Sequence, residues 1–319
     1  MAETVKILRR MSMEDQSADA YESGAMYAMP LLTGHPQKSF AELTDESISG
    51  VGFTDIPQQG PRKVGADGIS MNVDKVSSEI IMTAGFGNVT AKVFTLGSHT
   101  KCLSVATEDA VKTHNKYGSV FMRRLAMHGS VGNLFNFDMD LVGELDEDRT
   151  SDAFPTSTAY DEPFTFHEMG GTSGYFRVAD ATDALDSGDN LEIESFDWEF
   201  NNGFDHQHCN DGLGILTPVW GQSNTALSGS FTVSRHDSDT WFGYEEDHTP
   251  LQLSAYIYKS ATATLLIEIP RFIVTVEASD DDMTKLNVTM KIGRNGIGDS
   301  YQNSNMSFVS PIRATLVNA

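Results

Sequence analysis

The sequence has 319 residues and is strongly acidic, with 45 Asp and Glu against 22 Lys and Arg, a formal charge of −23 and a pI near 4.6. Proteins that hold nucleic acid contact the phosphates with Lys and Arg, so this balance argues against nucleic-acid binding. The acidity is also typical of a highly soluble or salt-adapted protein, which is the favoured interpretation on composition alone. The hydrophobic fraction of 39% is too high for a disordered chain, and no apolar run reaches the length of a membrane span.

The beginning of the chain and the cysteines indicate where the protein is made. Residues 1–16 contain basic residues but neither an apolar segment nor a small-residue cleavage site, so no secretory signal is expected. Cys102 and Cys209 are the two cysteines, and such sparse usage predicts no disulfide framework. We therefore expect synthesis in a cytoplasm.

Residues 1–40 are predicted to be an N-terminal arm, because too few apolar positions recur for a domain. Residues 41–145 are predicted to form a first β domain, with alternating strands at 69–76 and 89–96. The segment between them, SSEIIMTAGFGN, is interpreted as a strand that ends at a glycine. Residues 105–117 are predicted to be helical, because Thr107 can cap a helix and acidic residues follow it.

A hairpin is predicted from residues 120–127 and 134–142. In its second strand the side chains divide into an apolar set (Phe135, Phe137, Met139, Leu141) and a polar set (Asn136, Asp138, Asp140). Residues 146–174 are rich in Ser, Thr and Gly and acidic at their ends, so they are interpreted as a linker or long loop.

Residues 175–319 are predicted to form a second β domain. In LEIESFDWEF the alternation changes phase, which predicts a bulge near residues 194–195. Further alternating strands are predicted at 227–234, 251–258, 263–277 and 285–292, and Pro270 predicts a bend or edge position in the third of them.

These patterns predict a mainly β protein made of two antiparallel sandwich or barrel-like domains, each with at most one short helix. Both segments share an order of elements: alternating strands, a loop, a short helical or turn segment and a strong hairpin. They share no sequence period, so a duplication is a structural hypothesis only.

Few residues suggest chemistry. Asp205, His206, His208 and Cys209 are residue types that bind zinc, but no second pair of ligands lies at the expected spacing, and a polar loop is the favoured interpretation. The acidic turn at residues 279–283 lacks the glycine and distal glutamate of a calcium loop. Trp198, Trp220 and Trp241 suit either a sugar site or core packing. No nucleophile elbow, phosphate loop or metalloprotease helix is present in the sequence, so we expect no catalytic residues, no metal, no cofactor and no enzyme activity.

The order SGSFTV, WFGYEED, PLQLSAYIY and LLIEIPRFIV, followed by a last hairpin, resembles the C-terminal half of the tail tube proteins (major tail proteins) of long-tailed bacteriophages. The upstream LEIESFDWEF is similar to the strand that opens the tube domain in that family. The resemblance extends over residues 191–319, is weaker at 69–142 and is absent from the first forty residues.

This resemblance implies a structural virion protein that assembles with itself into stacked rings in the host cytoplasm and resides in the virion tail. A ring of six tube domains is implied, from three two-domain chains as a pseudo-hexamer or from six chains. The other implied partners are the tail terminator, the baseplate or tip, the tape-measure protein and double-stranded DNA, which passes without specific binding; no membrane is expected. The arm, residues 53–68 and the linker are expected to become ordered on assembly.

Two alternatives remain open at this point: a carbohydrate-binding or hydrolysing β-sandwich, and the inner-tube protein of a contractile injection system. If the chain forms a DNA channel, its wall should be acidic, since basic residues would retain DNA. The candidate channel-lining acids are strand residues opposite apolar neighbours: Asp138, Asp140, Asp197 and Glu199. An outer-wall position is an equal alternative for each.

Overall fold

The computed structural model describes residues 10–16, 21–34, 36–43, 58–97, 101–110, 113–170, 173–207, 217–220, 226–234, 238–278, 284–292, 306 and 310–317. In the first half the elements are β1 (Met11–Gln16), β2 (Met26–Ala28), β3 (Leu31–Thr33), β4 (Gln37–Leu43), β5 (Gln58–Asn72), α1 (Ser77–Phe86), β6 (Gly87–Thr90), β7 (Val93–Leu96), β8 (Cys102–Ala110), β9 (Thr113–Ser130) and β10 (Asn136–Thr150).

In the second half they are β11 (Ser157–Thr158), α2 (His167–Gly170), β12 (Tyr175–Asp180), a 3-10 turn (Ser187–Asp189), β13 (Ile193–Asn201), β14 (Phe204–Gln207), β15 (Thr217–Trp220), β16 (Ala226–Ser234), α3 (Ser238–Glu246), β17 (Leu251–Ser260), β18 (Ala263–Ala278), β19 (Lys285–Ile292) and β20 (Arg313–Val317). The predicted mainly β fold is confirmed.

One sheet joins strands from both halves in the order β5–β10–β9–β13–β16–β19–β18, all antiparallel. β3 and β4 lie in succession along the far side of β5. The predicted hairpin is confirmed as β9–β10, and the predicted bulge is confirmed by the register shift between Ile193 and Ser195. We call this the main sheet.

A second layer has the order β6–β7–β20–β18–β17–β12. β18 belongs to both layers, because the register with β17 shifts between Leu253 and Leu251 around Pro270, and residues 273–278 then pair with β19. Proline cannot donate to a ladder, so the strand changes partners there, as the sequence predicts. Phe176 of β12 lies 5.2 Å from both Phe196 and Phe231 of the main sheet, so the two layers pack face to face.

The core between the layers is rich in aromatic side chains. Trp198 is fully buried, stacks on Phe200 with ring centroids 5.6 Å apart, and meets Phe86 of α1 edge to face at 5.9 Å. Such contacts between rings stabilise the fold beyond the contribution of the surface area that the rings bury. Because Phe86 belongs to the first half and Trp198 to the second, the two halves share this core.

Two secondary-structure predictions are wrong: one predicted strand is a helix, and the predicted helix is part of two strands. The segment interpreted as a Gly-ended strand is the helix α1, which ends at Gly87 with a left-handed φ of 77°. Eight of its ten residues are buried, so no polar stripe marks it as a helix in the sequence. The predicted helix at 105–117 instead belongs to β8 and β9, where Val105 pairs with both Met13 and Tyr117. Long-range pairing overrides the local capping signal there.

The described part of the predicted arm lies within the sheet. β1 pairs with both β2 and β8, and its Met11 and Met13 are buried. Residues 58–68 of the loop expected at 53–68 belong to β5. Whether these residues become ordered only on assembly stays a prediction, because pairing within the chain does not compare the free and the assembled protein. Residues 1–9 and 53–57 lie outside the described residues.

The predicted linker is also integrated. Its first five residues continue β10, and β11 pairs with β2. Phe164, Phe166 and Met169 are buried in the core. Together with the β9–β13 and β7–β20 pairings, this segment connects both halves. The domain division at 145/146 and 174/175 remains a prediction, since these pairings do not test whether either half folds alone.

The arrangement of the main sheet recurs within the chain. In the first half β5 is followed by α1, the hairpin β6–β7 with its turn at residues 91–92, the additional strand β8, and then β9 and β10. In the second half β16 is followed by α3, the hairpin β17–β18 with its turn at 261–262, and then β19. The strand order β3/β4–β5–β10–β9 thus matches β13–β16–β19–β18.

Candidate functional site: the polar face of the main sheet

The main sheet has one face in the core and an opposite face of polar side chains, which we call the polar face. Strand alternation places them, because residues paired across antiparallel strands point to the same side. It comprises Ser70, Asn72, Arg124, His128, Asp138, Asp140, Asp197, Glu199, Ser228, Ser230, Thr232, Thr275, Glu277, Asn287, Thr289 and Lys291.

The four predicted acids all lie on this face, close to one another. Asp138 and Asp140 are on β10, Asp197 and Glu199 are on β13, and β9 runs between the two strands. The sequence separates these pairs by more than fifty residues, and the β9–β13 pairing brings them together.

Arg124 of β9 connects the two pairs of acids. Its Nε lies 3.0 Å from Glu199 Oε2, and its Nη1 lies 3.7 Å from Asp140 Oδ1. Burial acts to lower the pKa of Arg124, but the hydrogen bond to Glu199 and the charges of Glu199, Asp140 and Asp138 outweigh it and leave that pKa above its usual value. The guanidinium is thus charged and held between two strands.

A second arginine approaches from a bulge. The register of β9 against β10 shifts between Asp140 and Leu141, which leaves Arg123 without a counterpart on β10. Its guanidinium forms a short ion pair with Asp67 and lies 3.6 Å from Asp140 Oδ2. Asp140 also accepts a hydrogen bond of 2.7 Å from the Gly68 backbone N–H. Asp140 is therefore largely enclosed, with a side chain 13% exposed.

The other two acids flank His128. His128 Nδ1 lies 3.6 Å from Asp138 Oδ2, and His128 pairs across β9–β13 with Asp197. The Ser230 hydroxyl donates a short hydrogen bond to Asp197. Burial raises the pKa of Asp197, and the hydrogen bond from Ser230 and the charge of His128 only partly oppose this.

The four acids therefore lie beside basic side chains and do not form a purely negative surface. Five carboxylates, counting Asp67, surround two guanidiniums and one imidazole. Neither Arg123 nor Arg124 was predicted from the sequence to be part of this face. Their signal was the alternation of β9, in which Arg124 and His128 oppose the buried Leu125 and Met127.

The other candidates do not form a site among the described residues. Trp198 and Trp241 are buried in the core, which removes them as sugar-stacking platforms. In the described part of the chain no group of three or more His, Cys, Asp or Glu is placed to bind a metal ion. His208, Cys209, residues 279–283, and the side chains of Asp205, His206 and Trp220 lie outside what is described. None of the described helices has the length and apolar character of a membrane span.

An open cleft of about 680 Å³ lies where the β9–β10 turn meets α2 and β12. Its lining includes Val131, Phe166, Leu191 and Ile193, and His167, Tyr175 and Glu192 are its titratable side chains. The lining is mainly apolar and does not resemble the paired acid and base of a hydrolase.

The chain is thus a two-layer β protein that presents a broad polar strand face. The family model of the phage tail tube protein matches residues 23–292, so the chain belongs to that family. It is accordingly a structural component of a bacteriophage tail, which assembles with itself into a tube and contacts other tail proteins. A search of curated proteins finds no match to this chain.

The match confirms the family resemblance found in the sequence and changes its extent. It begins at residue 23, although no resemblance was detected in the first forty residues, and it ends at residue 292. The start is consistent with the described strands β2, β3 and β4, which belong to the sheet.

Proposed function

We propose that three copies of this chain close into a ring, that rings stack into the tail tube, and that the polar face lines the channel through which double-stranded phage DNA passes to the host. The tail terminator, the baseplate or tip and the tape-measure protein would contact this tube. Assembly would take place in the host cytoplasm.

The repeated strand order supports three chains rather than six. Each chain supplies two sets of four strand positions to the main sheet, with β3 and β4 counted as one. Three chains would give a barrel of about 24 strands, and at a spacing of about 4.8 Å the perimeter is at least about 115 Å. A barrel of this size leaves an open channel wide enough for duplex DNA, and closure removes exposed strand edges.

The position of the polar face supports its role as the channel lining. The opposite face of the main sheet packs against the core, so only the polar face can face a channel. DNA that must move rapidly needs a wall that does not collect phosphate contacts. Here Arg124 of the polar face and the neighbouring Arg123 are engaged by Asp67, Asp140 and Glu199. The carboxylates thus keep the guanidiniums from phosphate, and the excess acid repels the duplex within about 10 Å at 0.1 M salt.

The test adds positive charge to the polar face while keeping the two arginines and their carboxylate partners unchanged in the sequence. Ser228 and Thr289 are exposed residues of the polar face, and Ser228→Lys with Thr289→Lys should leave tails assembled while slowing genome ejection. The delay should be larger at low salt, because screening weakens phosphate attraction.

The matched control carries the same two charges elsewhere. Thr90 of β6 and Thr262 of the β17–β18 turn are exposed residues of the second layer, and Thr90→Lys with Thr262→Lys should eject at the parental rate. Equal ejection by both double variants would contradict the channel assignment. Symmetry determination by electron microscopy tests the ring separately, and six copies per ring would exclude the three-chain arrangement.

A further inference from the structure

Two consecutive residues of β5, Asp67 and Gly68, are passed over by the strand pairing on both sides. The register with β10 shifts there, and both residues lie opposite the single residue Asp140, so they form a bulge. On the other side of β5, the described pairs with β3 and β4 stop short of both residues. The strand ladder therefore does not include this dipeptide.

An Asp–Gly dipeptide is prone to a spontaneous reaction of its own backbone. The glycine nitrogen attacks the aspartate Cγ: an N–Cγ bond forms, the nitrogen loses its proton and one carboxyl oxygen leaves as water. A second water molecule then opens the resulting succinimide ring, and the chain continues through the aspartate side chain as isoaspartate. Glycine favours the attack because it has no Cβ to obstruct it.

Packing does not protect the dipeptide in this structure. The Asp67 side chain is 79% exposed. Gly68 is exposed and has a left-handed φ of 69°, and a Cβ built on it would have no neighbour within 4 Å among the described residues. Steric crowding therefore leaves the two reacting groups free to approach each other.

Two side chains hold the reacting groups instead. The Gly68 N–H donates a hydrogen bond of 2.7 Å to Asp140 Oδ1, and the Asp67 carboxylate forms a short ion pair with Arg123. Arg123 is the extra residue of a bulge on β9, and its guanidinium lies 3.6 Å from Asp140 Oδ2. The attack requires the peptide plane and the Asp67 side chain to turn towards each other, and each contact holds one of them in place.

We propose that Asp140 and Arg123 protect the Asp67–Gly68 dipeptide from conversion to isoaspartate, and that Asp67 is the residue modified when either contact is lost. The inference concerns the single chain and does not depend on the proposed ring or channel. The reaction would lengthen the backbone of β5 by one methylene group and displace the carboxylate that engages Arg123. Tail subunits are not replaced once a virion is assembled, so such a modification would accumulate with age.

Ageing of the purified protein tests this protection. The parent, Asp140→Ala and Arg123→Gln are kept for weeks at neutral pH, at an elevated temperature below the unfolding transition. Isoaspartate at residue 67 is measured by peptide mapping and by enzymatic methylation of isoaspartyl groups. The parent should react about tenfold more slowly than the free peptide of residues 62–73, and each variant should recover most of that factor, because it loses one charged contact.

Three further variants are the controls. Asp140→Asn retains an oxygen that can accept from the Gly68 N–H, so its rate should stay near that of the parent. Arg124→Gln removes the neighbouring cation of β9, which pairs with Glu199 and not with the dipeptide, and it should also react at the parental rate. Asp67→Glu moves the carboxyl group one carbon further from the nitrogen and should abolish the signal at residue 67.

Four results would overturn the proposal. A parent that reacts as fast as the free peptide is not protected. Parental rates in both Asp140→Ala and Arg123→Gln would assign the protection to the strand backbone. An equally fast reaction in Arg124→Gln would show that general loosening of the strands is responsible. A slower reaction in Asp140→Ala would mean that the carboxylate takes the Gly68 proton and promotes the attack.

Discussion

Arg124 Nε lies 3.0 Å from Glu199 Oε2, and this contact crosses the pairing of β9 with β13 that joins the two halves of the chain. The same guanidinium reaches Asp140 on β10, so three strands meet at one side chain. With 27% of the Arg124 side chain exposed, the ion pair is partly shielded from solvent. It stabilises the junction and also neutralises charge on the polar face.

Arg124→Gln, Glu199→Gln and their double variant should therefore show coupling. Removing Glu199 leaves a half-buried cation with only the more distant Asp140, so each single change should lower the free energy of unfolding. Because Glu199 is 44% exposed, solvent screens the pair, and we expect a coupling energy of about 0.5–1 kcal/mol. Chemical denaturation of the four proteins measures it.

The control is the ion pair of Lys101, which precedes β8, with Asp15 of β1 at 2.9 Å, in which the cation is more exposed than Arg124. Its Lys101→Gln and Asp15→Asn cycle should give a smaller coupling. Additive effects of Arg124→Gln and Glu199→Gln would contradict the role assigned to this contact.

Gly229 is required by close packing between β16 and its neighbours. A Cβ there would lie 2.6 Å from the Asp197 backbone oxygen and 2.5 Å from Met290 Cε. The methionine can move, but the backbone oxygen belongs to a paired strand. Gly229→Ala should therefore destabilise the protein by about 1–3 kcal/mol through overpacking. Thermal unfolding measures this, with Ser228→Ala on the exposed face as the neighbouring control. Equal stability of the two variants would mean that β13 and β16 can move apart to accommodate the added methyl group.

Asp74 links the start of α1 to the loop that contains Asp161. Its buried carboxylate accepts hydrogen bonds from the backbone N–H groups of Val76, Ser77 and Asp161, and from the Ser77 hydroxyl. Asp74→Ala leaves these donors without their acceptor, at a cost of about 2–4 kcal/mol. The release of Asp161 should also make the exposed residues 156–162 more sensitive to protease.

Asp186→Ala is the control for that variant. Asp186 accepts from the Gly188 N–H at the start of an exposed 3-10 turn, and its loss should cost about 1 kcal/mol or less. Limited proteolysis that cleaves both variants at equal rates would contradict the assigned role of Asp74.

Alternation predicted the strands of the main sheet well, because each has one buried and one polar face. The bend at Pro270 and the bulge near Ser195 also followed from local rules. Local rules failed to predict the secondary structure of α1, whose buried residues show no helical period. They also failed around Val105, where pairing with the distant Met13 and with Tyr117 makes the segment a strand. The candidate acids were found from alternation, whereas their arginine partners depend on the β9–β13 pairing, which no local pattern encodes.

Asp197 gives a pH dependence whose direction follows from its surroundings. Burial is the largest influence and raises its pKa above the ordinary value of 3.8. A carboxyl with a raised pKa in the folded state favours folding when it is protonated. Its contribution to stability is therefore fully present below pH 3.8 and is lost as the pH rises through the raised pKa.

Asp197→Asn should consequently raise the melting temperature at neutral pH, because the amide carries no charge and can still accept from Ser230. The difference from the parent should shrink as the pH falls through the raised pKa and vanish below about 3.8. Asp161→Asn is the control of opposite sign. A hydrogen bond from the Glu162 N–H, followed by one from Lys75, lowers the pKa of Asp161, so that variant should be less stable than the parent at neutral pH and equal to it in strong acid. Calorimetry from pH 3 to 8 distinguishes the two, and a loss of stability in Asp197→Asn at neutral pH would mean that its hydrogen bond outweighs its burial.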